Sequence, residues 1–204
     1  MVNMVEVFNQ GDFSSYRIED SRYSGVLTES RSFSAGTRRP VKRTIFLSHK
    51  HDDLEDLKGF IGYLERNYNV ECYIDSDDPG MPEKTSGETA ERIKKFIKTT
   101  DRFILLATDN AIAAPWCNWE LGYGDAQKYK DRIAILPMRN SGRSFYSGNE
   151  YMQIYPHIVR VESSDISRER LTYPIERPLI PGYYVASVNS AGKVTYVSLR
   201  DWLK

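Results

Sequence analysis

Short apolar segments that alternate with helical apolar stripes constrain the fold of this chain more than any other sequence feature. The segments lie at residues 44–48, 70–75, 102–107, 132–137 and 157–161. The third and fourth contain continuous apolar runs, which are typical of strands covered on both faces. Strand–helix alternation at this spacing predicts a parallel sheet with helices on both faces.

Three helices are predicted between these strands. The stripes, with spacings of three and four, are Leu54, Leu57, Ile61 and Leu64 in the first helix and Ala90, Ile93 and Ile97 in the second. Asp52 or Asp53 is available as the N-cap of the first helix. The third helix is expected from about residue 116 to residue 130. We therefore predict an α/β fold, a flavodoxin-like doubly wound sheet of five parallel strands in the order 2-1-3-4-5.

Two extensions flank the alternating region, which spans residues 43–163. Residues 1–42 are polar and rich in Ser and Arg, so we expect an arm or an irregular extension there. Residues 164–204 form a C-terminal extension. Within it, residues 183–188 and 194–199 have the pattern of a β-hairpin, and a terminal helical turn is expected after it.

The charge balance argues against several classes of partner. Lys and Arg total 28 of the 204 residues, as do Asp and Glu, so the formal net charge is zero. Non-specific binding to nucleic acid or to an anionic membrane requires a basic excess. No apolar run approaches the roughly 20 residues of a membrane span, and the first residues lack the layout of a secretory signal. Cys72 and Cys117 match no disulfide or zinc pattern. We therefore expect a cytoplasmic protein.

The third helix carries the first candidate for chemistry. Trp116 and Glu120 are four residues apart and share a helix face, which Tyr123 continues. A carboxylate among large aromatic rings on a buried stripe is costly unless that stripe lines a pocket. The alternative interpretation is that the tryptophans are core residues and Glu120 is a solvated helix residue.

A second group of polar residues follows the first strand. In a doubly wound sheet, ligands bind outside the carboxyl ends of the strands, at the point where the strand order reverses. Ser48 to Lys50 and Thr108 to Asn110 are then expected to face one crevice. Ser48 is suited to a hydrogen bond with a ligand and Lys50 to a phosphate. His49 and His51 alternate as metal ligands do, but no third ligand has a sensible spacing, so we predict no metal site.

Three aspartates follow the second strand. Asp75, Asp77 and Asp78 have the chemistry of a hard-cation site or of acceptors for sugar hydroxyls. The sequence Asp-Asp-Pro-Gly is also strong turn chemistry, and a turn is compatible with either function.

These motifs together resemble the TIR domain family. The order found in TIR domains is present here: Phe46-Leu-Ser48 at the carboxyl end of the first strand, a second strand that ends at Asp75, a Gly/Pro loop and Trp116-Cys-Asn-Trp-Glu-Leu121. The last string is similar to those of Toll-like receptors, and the Trp-x-x-x-Glu spacing also occurs in the animal axon-degeneration NADase and in bacterial TIR enzymes. The resemblance covers about residues 43–163.

The resemblance implies roles for matching positions. Glu120 matches the glutamate that enzymatic TIR domains need for NAD cleavage, and Trp116 matches the tryptophan that packs against the dinucleotide. The resemblance also implies that Phe46, Ser48, His49 and Lys50 lie near the nicotinamide and the phosphates. Asp75 and residues 76–87 match a loop that gates the site and contacts neighbouring protomers. The sequence departs from many relatives at Pro115 and at the His-Lys-His string.

The chemistry of NAD is compatible with a single carboxylate. Nicotinamide leaves as a neutral molecule from a cationic pyridinium, so no general acid has to protonate it. Glycosidases that cleave ordinary glycosidic bonds need two carboxylates instead. We therefore expect an NAD glycohydrolase or ADP-ribosyl cyclase with Glu120 as the catalytic residue, with NAD as the substrate and no cofactor.

The cellular role expected from the resemblance is a nucleotide signal in antiviral defence. It is similar to that of the TIR subunits of Thoeris-like anti-phage systems, whose product activates a separate effector protein, and homo-oligomers of TIR protomers are expected in the active state. One alternative is a non-enzymatic adaptor that acts by TIR–TIR assembly. Another is a nucleoside-processing hydrolase or transferase on a related fold, which would also use one carboxylate.

Overall fold

The computed structural model describes residues 7–17, 42–74, 86–139, 150–167, 179–189 and 191–204. The strands within these ranges are β1 (Phe8–Asn9), β2 (Arg43–Ser48), β3 (Val70–Tyr73), β4 (Arg102–Ala107), β5 (Ile133–Arg139), β6 (His157–Val161), β7 (Gly182–Val188) and β8 (Val194–Ser198). The helices are α1 (Leu54–Asn67), α2 (Gly87–Thr99), α3 (Asp109–Ala113), α4 (Pro115–Gln127), α5 (Ser163–Ser167) and α6 (Leu199–Trp202). None of these helices is long and apolar enough to cross a membrane.

The sheet has the mostly parallel architecture that the apolar segments predict. Its order is β3-β2-β4-β5-β6-β7-β8, and the pairs from β3 to β6 are parallel. The five strands β2 to β6, counted in chain order, therefore run 2-1-3-4-5. Ser48 pairs with Leu105, so the carboxyl ends of β2 and β4 lie side by side at one edge.

The C-terminal hairpin is present, and it continues the main sheet. β7 pairs antiparallel with β6, and β8 pairs antiparallel with β7. In the turn, the side-chain oxygen of Asn189 accepts hydrogen bonds from the amides of Ala191 and Lys193, and Gly192 adopts a φ of 76° that favours glycine. The terminal helical turn is α6, whose Trp202 donates from its indole nitrogen to the carbonyl of Asp131 at 2.6 Å.

Part of the N-terminal extension belongs to the core, which corrects the expectation of an irregular arm. β1 pairs parallel with the end of β5, Phe8 opposite Met138. Phe13 is buried between Phe60 and Tyr63 of α1. A Cβ atom on Gly59 would lie 2.7 Å from the carbonyl oxygen of Phe13, so only glycine admits this close approach. Two phenylalanines in a polar segment show no periodicity, and the sequence pattern therefore missed them.

Two core clusters cover the two faces of the sheet. Side chains of β2 alternate between them: Ile45 and Leu47 pack with α1 and α6, whereas Phe46 packs with α2 and α4. β4 shows the same alternation. This two-sided cover explains the continuous apolar runs within β2 and β4, as expected for a doubly wound sheet.

Candidate functional site

The site forms where the carboxyl ends of β2 and β4 meet the start of α4. Pro115 occupies the first turn of α4, a position that needs no backbone donor. Glu120 follows one turn later and is only 4% exposed. Its Oε2 accepts a hydrogen bond of 2.5 Å from the hydroxyl of Ser48, which is also buried. The interpretation of Glu120 as a solvated helix residue is therefore wrong.

The helix that carries this carboxylate also carries a row of aromatic residues. Trp116, one turn before Glu120, is 38% exposed, and its ring meets that of Trp119 edge-on at 5.2 Å. Trp119 in turn stacks with Tyr123 at 6.0 Å, and the ammonium of Lys94 lies 5.7 Å from the Tyr123 ring centroid. Trp116 therefore leaves ring surface open to solvent one helical turn from a buried carboxylate, and it is suited to be a wall of a binding site.

The residues that follow Ser48 differ in exposure. His49 is buried, Lys50 is half-buried and His51 is exposed. In the described ranges, no three His, Cys, Asp or Glu side chains form a group that could hold a metal ion.

Phe46 has a different environment from the one the resemblance implies. Its side chain is 0% exposed and packs between the rings of Tyr73 and Phe103, at 5.6 Å from each. Side chains at even positions of β2 point away from α1, and at Phe46 that direction leads into the core under α2 and α4. Phe46 is therefore a core residue in this structure, and its contact with a substrate stays a prediction.

Asp53 is a site residue that the sequence pattern missed. It occupies the N-cap position of α1 but makes no side-chain cap there. Its carboxylate is buried and accepts from the Thr108 hydroxyl at 2.5 Å and from the Asn110 amide at 3.3 Å. Burial raises the pKa of Asp53, and the two hydrogen bonds lower it in part. Asp52 and Asp53 are alike in sequence, and only their surroundings distinguish the buried acid from the exposed one.

The two strand exits therefore meet, as the strand order predicts. At the exit of β2, Ser48 contacts Glu120 of α4. Asp53, which follows the same strand, contacts Thr108 at the exit of β4. Asp75, Asp77 and Asp78 lie outside the described residues, as do residues 76–85 of the predicted gating loop. Their roles stay predictions.

Comparison with known proteins identifies the family of the chain. The family model described as TIR domain matches residues 45–166, which is more than half of the chain. A crystal structure of a prokaryotic SEFIR domain aligns with a TM-score of 0.41 and 13% identity, over 69% of this chain and 100% of the other. No curated protein matches the sequence. The chain belongs to the TIR domain family.

Proposed function

We propose that this TIR domain cleaves NAD at the bond between nicotinamide and ribose. The observation that carries the proposal is the buried carboxylate of Glu120, which lies one helical turn from the exposed ring of Trp116. A buried carboxylate beside an open aromatic surface is costly for stability and useful for binding and stabilising a cationic group.

The proposed reaction needs one carboxylate and no leaving-group acid. The C1′–N1 bond breaks, its electron pair stays on the nitrogen, and nicotinamide leaves as a neutral molecule. The positive charge that develops at C1′ is then stabilised by the negative charge of Glu120. Water that attacks C1′ and loses a proton produces ADP-ribose, and attack by a nucleophile of the same molecule with loss of a proton produces a cyclic isomer.

The neighbouring residues have separate proposed tasks. Trp116 offers a ring face for stacking, and Trp119 contacts that ring edge-on at 5.2 Å. Lys50, half-buried at the exit of β2, is the cation proposed for the pyrophosphate. Ser48 already donates to Glu120, so its proposed task is to orient that carboxylate. His49 and Asp75 complete the proposed set of substrate-binding residues.

The cellular part of the proposal is a nucleotide signal made in the cytoplasm. TIR domains generally self-associate, and we propose that the active form is a homo-oligomer whose product activates a separate effector in antiviral defence. Nicotinamide release per protomer is then expected to rise with protein concentration.

Purified protein incubated with NAD tests the proposal. Mass spectrometry identifies nicotinamide and either ADP-ribose or a cyclic isomer, and the assay is repeated over a wide range of protein concentrations. If no nicotinamide forms at any concentration while the chain still assembles with other TIR domains, the enzyme proposal is wrong and the adaptor function is favoured.

A further inference from the structure

The buried acid Asp53 connects the two strand exits. It is 1% exposed, so substrate does not reach it in this conformation. Its two oxygens accept from different residues, Oδ2 from Thr108 and Oδ1 from Asn110. Both donors belong to the segment that begins α3, 55 and 57 residues further along the chain. Asp53 therefore binds the N-terminal end of α3 through both of its carboxylate oxygens.

The helix α3 needs such an anchor. It has five residues, and helices shorter than about 12 residues are marginal without tertiary contacts. The Thr108 hydroxyl that donates to Asp53 also accepts from the amide of Ala111 at 3.0 Å, so one hydroxyl both caps α3 and binds the acid. Loss of the acid leaves this cap without its buried partner.

The helix α3 is in turn bound to α4. Asn118 lies on α4, two residues before Glu120. Its side-chain amide donates to the carbonyl of Ile112 in α3 at 2.9 Å. Ser48, which ends β2 five residues before Asp53, donates to Glu120 itself. These contacts form a closed circuit from the exit of β2 through α3 and α4 back to the exit of β2.

We propose that Asp53 is a positioning residue that fixes α3, and through Asn118 and the start of α4 the carboxylate of Glu120, against the exit of β2. The inference rests on the proposed function for its catalytic consequence. Its structural consequence is that Asp53 keeps α3 and the start of α4 well ordered, and this consequence does not depend on any activity.

Kinetics on single variants test the catalytic consequence. Asp53→Ala removes both acceptors, and a displaced catalytic group costs up to about 100-fold in rate, so kcat is expected to fall toward that extent while KM changes little. Asp53→Asn keeps one carbonyl acceptor for Thr108 and is expected to restore part of kcat. Asp52→Asn, which changes an exposed neighbour, is the matched control and is expected to leave kcat unchanged.

A double-mutant cycle separates positioning from general damage. Thr108→Val removes the hydroxyl at nearly constant shape. If Asp53 acts through Thr108, the losses in kcat of Asp53→Ala and Thr108→Val are not additive, because the second change removes an interaction already lost. Additive losses overturn the proposal.

Hydrogen exchange tests the structural consequence without activity. In Asp53→Asn, or in Asp53→Ala where it folds, amides of residues 109–121 are expected to exchange faster than in the wild-type chain, and those of α1 beyond its first turn are not. Unchanged exchange in α3 overturns the proposal, and so does faster exchange with wild-type kcat. If the wild-type chain releases no nicotinamide, the proposed function fails. In that case, faster exchange in the Asp53 variants that extends to residues 115–121 still supports Asp53 as the anchor of α3 and α4. Faster exchange that is confined to α1 overturns this role of Asp53.

Discussion

The hydroxyl of Ser48 donates a hydrogen bond of 2.5 Å to Oε2 of Glu120, across 72 residues of sequence. Both side chains are buried, so this bond is shielded from competing water. It ties α4 to the end of the first strand of the TIR region.

Glu120→Gln is expected to abolish most activity and to leave the fold intact. The amide is nearly isosteric and its oxygen still accepts from Ser48, but it lacks the charge that stabilises the transition state. Nicotinamide release is expected to fall by about 100-fold or more, as for other lost transition-state electrostatics. The control is Glu88→Gln on the exposed surface of α2. A folded Glu120→Gln protein with normal turnover of NAD would show that Glu120 is not catalytic.

Trp116→Ala is expected to lose activity with little loss of stability. The ring is 38% exposed, so its truncation removes less buried surface than the ~3–5 kcal/mol typical of a core tryptophan. Trp116→Phe keeps a stacking face and should retain much of the activity. KM for NAD and the melting temperature are measured for both variants, with Tyr129→Ala as an exposed aromatic control. Normal KM and kcat in Trp116→Ala would exclude the ring as a wall of the site.

The free energy of unfolding is expected to fall as the pH drops below 6.5, because of His157. Burial lowers the pKa of this imidazole from 6.5 to about 4. Between those values the unfolded chain binds more protons than the folded one, so acid favours unfolding, and the dependence ends below about pH 4. From pH 7 to pH 5 the expected loss is about 2 kcal/mol.

Chemical denaturation of the wild-type chain and of His157→Gln at both pH values measures this effect. The variant should lose about 2 kcal/mol less than the wild-type chain over the same interval. An equal loss in both proteins would assign the acid sensitivity to groups other than His157.

Phe13→Ala is expected to destabilise the whole domain although it lies outside the residues matched by the family model. The ring is buried against α1, and deletion of a buried phenylalanine ring costs about 3–5 kcal/mol. Ser14→Ala, at the exposed neighbouring position, is the control. Gly59→Ala should also be destabilising, because its Cβ meets the backbone of Phe13. Wild-type melting of Phe13→Ala would mean that residues 7–17 are dispensable for stability.

The alternation of strands and helices was predictable because periodicity is a local property. Apolar runs specify strands covered on two faces, and spacings of three and four specify helices with one buried face. The positions of Trp116 and Glu120 on one helix follow from the same local geometry. The crevice at the exits of β2 and β4 follows from the strand order, which is a general rule for such sheets.

The burial of individual polar groups was decided by tertiary structure alone. Asp52 and Asp53 are identical and adjacent, and only the approach of Thr108 makes one of them a buried acceptor. On one helix face the apolar Trp116 is partly exposed and the charged Glu120 is buried, the opposite of what their polarities predict. The buried carboxylate of Glu120 is bound by Ser48 from a strand 72 residues earlier in the sequence. Periodicity identifies which face of a helix or strand is buried. The side chains that contact Glu120 and Asp53 on those faces lie more than 50 residues away in the sequence. For that reason the sequence by itself determined the elements and the candidate helix, and the folded chain determined which side chains meet.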